Sequence, residues 1–232
     1  MGETYKLQIP RDDLHDQLGQ GLPAGTITLV EGAHGTGKSA LVQRMIYGFL
    51  SNQHSVTCIS TELTVRDFIN QMYSLDYPIS SWLLNGKLKF VPVYPLVGKA
   101  RKRSDFLGML MGSEELYRSD IMIIDTFSSL VSNSLHGEDN SIGVLSFFKR
   151  LTGMGKSIVV TVDPTELDPK ALAPFESDSH VYLSIIVSQV GGMISRSIMV
   201  KRFGGTEYRV SPVVGFRIEP NVGMVIEITS VV

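Results

Sequence analysis

The segment Gly32-Ala33-His34-Gly35-Thr36-Gly37-Lys38-Ser39 constrains this chain more than any other, because it satisfies G-x-x-x-x-G-K-[ST] in full. That motif has meaning only where a strand runs into it and a helix leaves it, and both are predicted here. Residues 24–30, Ala-Gly-Thr-Ile-Thr-Leu-Val, read as a short buried strand. After Lys38, the residues Leu41, Val42, Met45, Ile46, Phe49 and Leu50 recur at helical spacing until Ser51, Asn52 and Gln53 end the apolar face. In such a loop glycines let successive backbone N–H groups turn inward on phosphate oxygens, and the helix N-terminus adds its dipole. Lys38 then reaches the β and γ phosphates and Ser39 ligates magnesium, so residues 32–39 are the candidate nucleotide site. The His34 side chain reads as an exposed loop residue.

The rest of the chain supplies the sheet that such a loop requires. Residues 55–61, 88–94, 121–125 and 157–162 read as further strands, rich in β-branched or apolar residues. Helical patterns follow: one after Glu62, with Thr64 and Asp67 at capping-box spacing, then residues 104–117 and 142–154. Strands alternating with helices predict an α/β fold with a mainly parallel central sheet covered on both faces. From residue 181 on, residues 181–187, 193–203, 208–212, 216–219 and 224–228 read as strands between glycine or proline turns, which predicts a C-terminal antiparallel extension of the same sheet. No repeat or long linker divides the 232 residues, so residues 1–232 form a single domain in this reading.

Composition narrows the function classes. A formal charge of −2 gives no global attraction to nucleic acid or acidic membranes. One cysteine, Cys58, makes neither an internal disulfide nor a zinc site and suits a reducing cytoplasm. The first ten residues lack a signal-peptide apolar core, Lys6 stands where a myristoylation motif wants Ser or Thr, and no apolar run is long enough to span a bilayer. A cytoplasmic protein that meets a membrane only through a partner is expected.

Phosphate chemistry asks for further residues. Asp125, ending an apolar strand, fits the acid that holds magnesium; its other reading is a cap on the next turn, a role open to Thr126 and Ser128 as well. Asp163 ends the next strand and competes for the role, although Pro164 favours a turn. Glu62 is the candidate base, facing the γ phosphate if its strand neighbours the loop strand; otherwise it is a solvated acid at a helix entry. Glu31 has no assigned direction. Lys201 and Arg202 are candidate cations for a neighbouring subunit's nucleotide, or a solvated hairpin end. Residues 99–103, Lys-Ala-Arg-Lys-Arg, form the one dense basic run, open to an acidic partner or to solvent, without the aromatic interleaving of a nucleic-acid groove.

Residues 18–25 (Leu-Gly-Gln-Gly-Leu-Pro-Ala-Gly), the loop, Ser60-Thr61-Glu62 and Ile123-Ile124-Asp125 together resemble the RecA-like KaiC family of P-loop ATPases. More narrowly, residues 11–15, 43–49, 91–95 and 216–232 look like the archaellum accessory ATP-binding proteins, the FlaH or ArlH family. The resemblance implies a RecA-like protein that binds ATP and Mg2+, assembles as a ring such as a hexamer, and docks on the archaellum motor ATPase and its membrane-anchored scaffold. Residues 32–39 would hold the phosphates, Asp125 the magnesium through water, Glu62 the place of the catalytic acid, and Arg202 a role in trans. KaiC relatives carry K-x-R before a Gly-Thr pair; here Arg202 and Gly204 precede Gly205-Thr206, so one basic position is missing. The resemblance thus favours nucleotide-gated assembly with slow or absent hydrolysis, without nucleic acid. The alternatives are an active ATPase working on DNA and a KaiC-type autokinase.

Overall fold

The structure is a computed structural model and describes residues 3–93, 108, 110–131, 138–190 and 193–227. Near the N-terminus β1 (Thr4–Tyr5) pairs with β2 (Leu22–Pro23) on either side of a single helical turn, α1 (Leu14–Gln17). The main sheet is then laid down by β3 (Ile27–Glu31), β4 (Val56–Ser60), β5 (Leu88–Pro92), β6 (Ile121–Asp125), β7 (Ser157–Val162) and β8 (Val181–Val190). It is completed by β9 (Met193–Phe203), β10 (Val213–Glu219) and β11 (Gly223–Glu227). Their order is β11-β10-β9-β8-β3-β7-β6-β4-β5, parallel from β8 to β5 and antiparallel from β8 to β11.

Strand alternation explains the two layers. Ile121 and Ile123 of β6 enter one core, whereas Met122 and Ile124 enter the other, so strands buried on both faces read as continuous apolar runs. The first layer holds α2 (Lys38–Ser51), α3 (Val65–Ser74) and α4 (Ser80–Leu84). The second holds α5 (Phe127–Val131), α6 (Glu138–Gly153) and α7 (Pro169–Asp178), whose Phe127, Phe148 and Phe175 meet edge to face or tilted. Thr64 caps α3 by accepting from the Asp67 N–H at 2.9 Å, as its spacing predicts.

A buried ion pair fastens the N-terminal stretch to α2. Arg44 donates from Nε to Asp12 Oδ2 at 2.6 Å, from Nη2 to Oδ1 at 2.7 Å, and from Nη1 to the Leu7 carbonyl at 2.9 Å. Gly48, one turn on, has no room for a side chain, since a Cβ there would stand 2.5 Å from that same carbonyl oxygen. No described helix is long and apolar enough to cross a membrane.

Several elements differ from the sequence expectations. The expected strand at 208–212 contributes only a bridge from Val210 to Leu18, because residues 213–219 take the free edge of β9. The helices α4, α5 and α7 lie where none is predicted. Of the helix expected at 104–117, residues 108 and 110–112 are helical and Glu114–Tyr117 form a 3-10 turn, while residues 104–107 and 109 lie outside the described residues. The basic run at 99–103 lies outside them as well.

Candidate nucleotide-binding cleft

β3 delivers the chain to the loop at the carboxyl end of the sheet, where open α/β folds place their ligands. Gly35 and Gly37 take φ of +76° and +107°, conformations that L side chains rarely adopt. A Cβ on Gly37 would also lie 3.3 Å from Ile218 and 3.4 Å from Phe216, so β10 backs the loop. Lys38 is 7% exposed, and its Nζ donates to the carbonyls of Gly32 at 2.6 Å and Ala33 at 2.9 Å. Asp163 Oδ2 stands 4.0 Å from that ammonium. Asp163 combines the turn role expected from Pro164 with a place behind the loop: Oδ1 accepts from the Thr165 N–H at 2.9 Å and hydroxyl at 2.7 Å. Burial pushes its carboxyl up, but the Thr165 bonds, the Lys38 ammonium and the His34 amide hold it below the usual carboxylate value.

Asp125 is buried, and Oδ1 accepts from the Thr161 hydroxyl at 2.7 Å rather than capping the following turn. Burial raises its carboxyl above the ordinary value, against hydroxyl bonds from Thr161 and Ser39; nearby Glu62 adds to the rise and Lys38 opposes it. A buried carboxylate beside a serine hydroxyl is the oxygen donor set of a hard divalent cation. Among the described residues no group of three or more His, Cys, Asp or Glu could hold a metal. Asp125 and Ser39, bonded to each other, are the residues that would hold magnesium here.

Glu62 reaches this site by a route other than the one expected. Its strand, β4, is not beside β3; β6 and β7 lie between them. The chain instead crosses the end of β6, where the Thr61 N–H donates to the Asp125 carbonyl at 2.9 Å and the Thr126 N–H donates to the Thr61 hydroxyl at 3.1 Å. Glu62 is exposed, and its Oε1 accepts from the Thr126 hydroxyl at 3.1 Å. One cleft of about 340 Å³ is lined by His34, Gly35, Gly37, Lys38, Ser39 and Ala40 of the loop and helix start, and by Glu62 and Thr126 across from them.

The two basic candidates face elsewhere within the chain. A register shift between β8 and β9 leaves Lys201 unpaired in the ladder, a bulge that re-aims side chains. Lys201 Nζ meets Glu31 Oε2 and the Tyr182 hydroxyl, each at 3.1 Å. This settles the direction of Glu31: it points to Tyr182 and Lys201. Arg202 Nη1 donates to the carbonyls of Glu176, Ser177 and Ser179 at 2.8, 2.9 and 2.8 Å, closing the C-terminal end of α7.

Sequence reasoning missed Thr161 and read Thr126 only as a turn cap; these are the hydroxyls that bond Asp125 and Glu62, and a threonine at a strand end carries no distinguishing pattern. It also missed Gln43, Gln71, Ser74, Leu75 and Ile218, which line the remainder of the cleft. For Gln43 a signal existed: it is a polar residue among Leu41, Val42, Met45 and Ile46, four positions after Ser39.

Residues 9–230 match the family model described as "ATPase: KaiC". The archaeal flagellar ATP-binding protein FlaH of Methanocaldococcus jannaschii is 37% identical over 229 residues, covering 99% of this chain and 98% of that protein. Its namesake from Methanococcus voltae is 35% identical over 227 residues, covering 97% and 98%. The crystal structure of flagellar accessory protein FlaH from M. jannaschii superposes with a TM-score of 0.91 at 36% identity, covering 98% of this chain and all of that one. The chain therefore belongs to the KaiC family of ATPases and, within it, to the archaeal flagellar FlaH proteins.

Proposed function

We propose that this chain is an ATP-binding assembly component of the archaeal motility motor, in which bound Mg·ATP favours a ring and its docking on the motor ATPase and the membrane-anchored scaffold. The observation that carries the reading is the convergence of Lys38, Ser39 and Glu62 on one cleft, with buried Asp125 bonded to Ser39 behind it, in a family whose relatives are named ATP-binding proteins. In this reading the amides of residues 32–39 surround the triphosphate, and Lys38 leaves the Gly32 and Ala33 carbonyls for the β and γ phosphates. Asp125 and Ser39 hold magnesium, which neutralises phosphate charge when bound. Glu62 orients water, and a role in trans for Arg202 would require it to leave the carbonyls of Glu176, Ser177 and Ser179.

Two observations support slow turnover. Arg202 is engaged by three carbonyls of its own chain, and Gly204 stands where KaiC relatives carry a second basic residue. A ligand shifts assembly only by its differential affinity for the assembled and free forms, so gating requires tighter ATP binding in the docked state. Titration calorimetry and pull-down with the purified motor ATPase test this together. Lys38→Ala is expected to abolish the heat of Mg·ATP binding and to weaken docking; docking indifferent to that change sinks the gating. Hydrolysis at about one per second or faster on adding single-stranded DNA favours the enzyme acting on DNA. Phosphate retained on serine or threonine favours the autokinase.

A further inference from the structure

The Lys38 ammonium is engaged from behind the loop. The Gly32 and Ala33 carbonyls accept from Nζ at 2.6 and 2.9 Å, and Asp163 Oδ2 stands 4.0 Å away, the two charged side chains being only 8% and 7% exposed. The carbonyls are neutral and belong to the loop itself. Asp163 adds a full negative charge, and at this burial water and salt screen it weakly. It also faces the amide of His34, so it meets two donors, an ammonium and a loop N–H, of the kind such a loop aims at phosphate oxygens.

Asp163 is fixed in that place from several sides. Its N–H donates to the Ser128 hydroxyl at 2.9 Å, which donates in turn to Glu166 Oε2 at 2.6 Å, and its carbonyl accepts from the Glu166 N–H at 3.1 Å. Oδ1 is held by the N–H and hydroxyl of Thr165. The Gly32 N–H donates to the preceding carbonyl, that of Val162, at 3.1 Å, which ties the end of β7 to the start of the loop. The carboxylate therefore does not swing away from the loop. Nor does it shed its charge: burial pushes the carboxyl up, but the Thr165 bonds, Lys38 and the His34 amide hold it below the usual value.

We propose that Asp163 is an internal counter-anion of the phosphate loop, which competes with a ligand's phosphates for Lys38 and so weakens the binding of polyphosphates. The inference rests on the nucleotide reading of the cleft. When Lys38 turns to the phosphates, Asp163 loses its cation beside a site that has just gained negative charge, and breaking a buried pair in this way is costly. Lys38 is the only cation among the described residues that line the cleft, so no other side chain of that lining offsets the cost. Weaker binding shows mostly as faster release, which keeps a gating nucleotide exchangeable. Asp163 is a positioning residue that acts through Lys38.

Titration calorimetry of the full chain with Mg·ATP and with magnesium tripolyphosphate, which has phosphates and no base, tests this. Asp163→Asn keeps an oxygen for the Thr165 donors and removes the charge. It is expected to bind both ligands about tenfold or more tightly than wild type, and by a similar factor, because the base takes no part. Asp163→Ser, neutral and smaller, is expected to act in the same direction and serves where the first variant does not fold. Glu115→Gln removes a charge of the same sign from an 80% exposed side chain in the 3-10 turn ahead of β6, and is expected to leave both affinities as they were. A structural role for Asp163 would give a loss of binding and not a gain. Unchanged or weaker binding by the folded neutral variants overturns the proposal, and so does an equal gain in Glu115→Gln. A wild type that binds neither ligand overturns the nucleotide reading itself, so the two failures are distinguishable.

Discussion

At Arg44 a single side chain decides whether the N-terminal stretch stays attached. Arg44 and Asp12 are 0% and 1% exposed, so removing either strands the other charge in a dry environment. Arg44→Leu should therefore cost about 3–5 kcal/mol, read from the denaturant midpoint at unchanged slope. The double variant with Asp12→Leu should recover much of that loss, because an apolar pair of similar volume replaces the charges. A double variant as unstable as the single one contradicts this account. Residue-scale legibility follows the same physics. Lys38 and Ser39 were readable because phosphate chemistry demands those types at that spacing. Arg44 was not, since a charged helix residue reads as solvated until a partner 32 positions away is folded over it.

Among the elements, β4 and β6 run side by side, and their entries are tied together by one carboxylate. Asp120 Oδ2 accepts from the Ser55 N–H at 2.8 Å and its hydroxyl at 2.7 Å. Burial pushes the Asp120 carboxyl up, but the two Ser55 bonds, with Lys156 and His54, hold it below the ordinary 3.8. A folded-state pKa that is depressed contributes stability above the unfolded value, and that stability is lost as pH falls through the folded value. Wild type should thus exceed Asp120→Asn in stability by a margin that is full at about pH 5 and shrinks below the unfolded value, as urea titrations at stepped pH would record. A margin constant with pH rules the carboxylate out as its source. Apolar strands and the Thr64 cap were legible because burial and capping leave local marks. The helix α7 also left one, Asp168 accepting from the Lys170 N–H with Pro169 in the first turn, but Pro174 interrupts the pattern that follows. The helix α5, five residues long, is shorter than any periodicity can declare.

Over the whole molecule, the strand order was the least legible feature, because crossovers and not local sequence place β6 and β7 between β3 and β4. The antiparallel end matters most for the site: β10 lies against Gly37, and the β10–β11 turn is pinned by the Tyr77 hydroxyl, which accepts the Met224 N–H at 2.9 Å. A ligand that binds the loop therefore engages the sheet from both sides, and its binding energy should appear as stability of the entire fold. At a hundred times Kd, one bound nucleotide adds about 2.7 kcal/mol. For a chain of this length that is a rise in Tm of about 5–10 °C. Tyr77→Phe leaves a buried N–H without its partner and should lower the ligand-free stability by about 1–3 kcal/mol, yet preserve most of the nucleotide-dependent rise. Lys38→Ala should lose the rise itself, whatever the fall in its baseline from stripping the Gly32 and Ala33 carbonyls of their buried donor. Thermal unfolding of the three proteins with and without Mg·ATP separates these effects; a rise that survives in Lys38→Ala means the nucleotide binds elsewhere than the loop at residues 32–39.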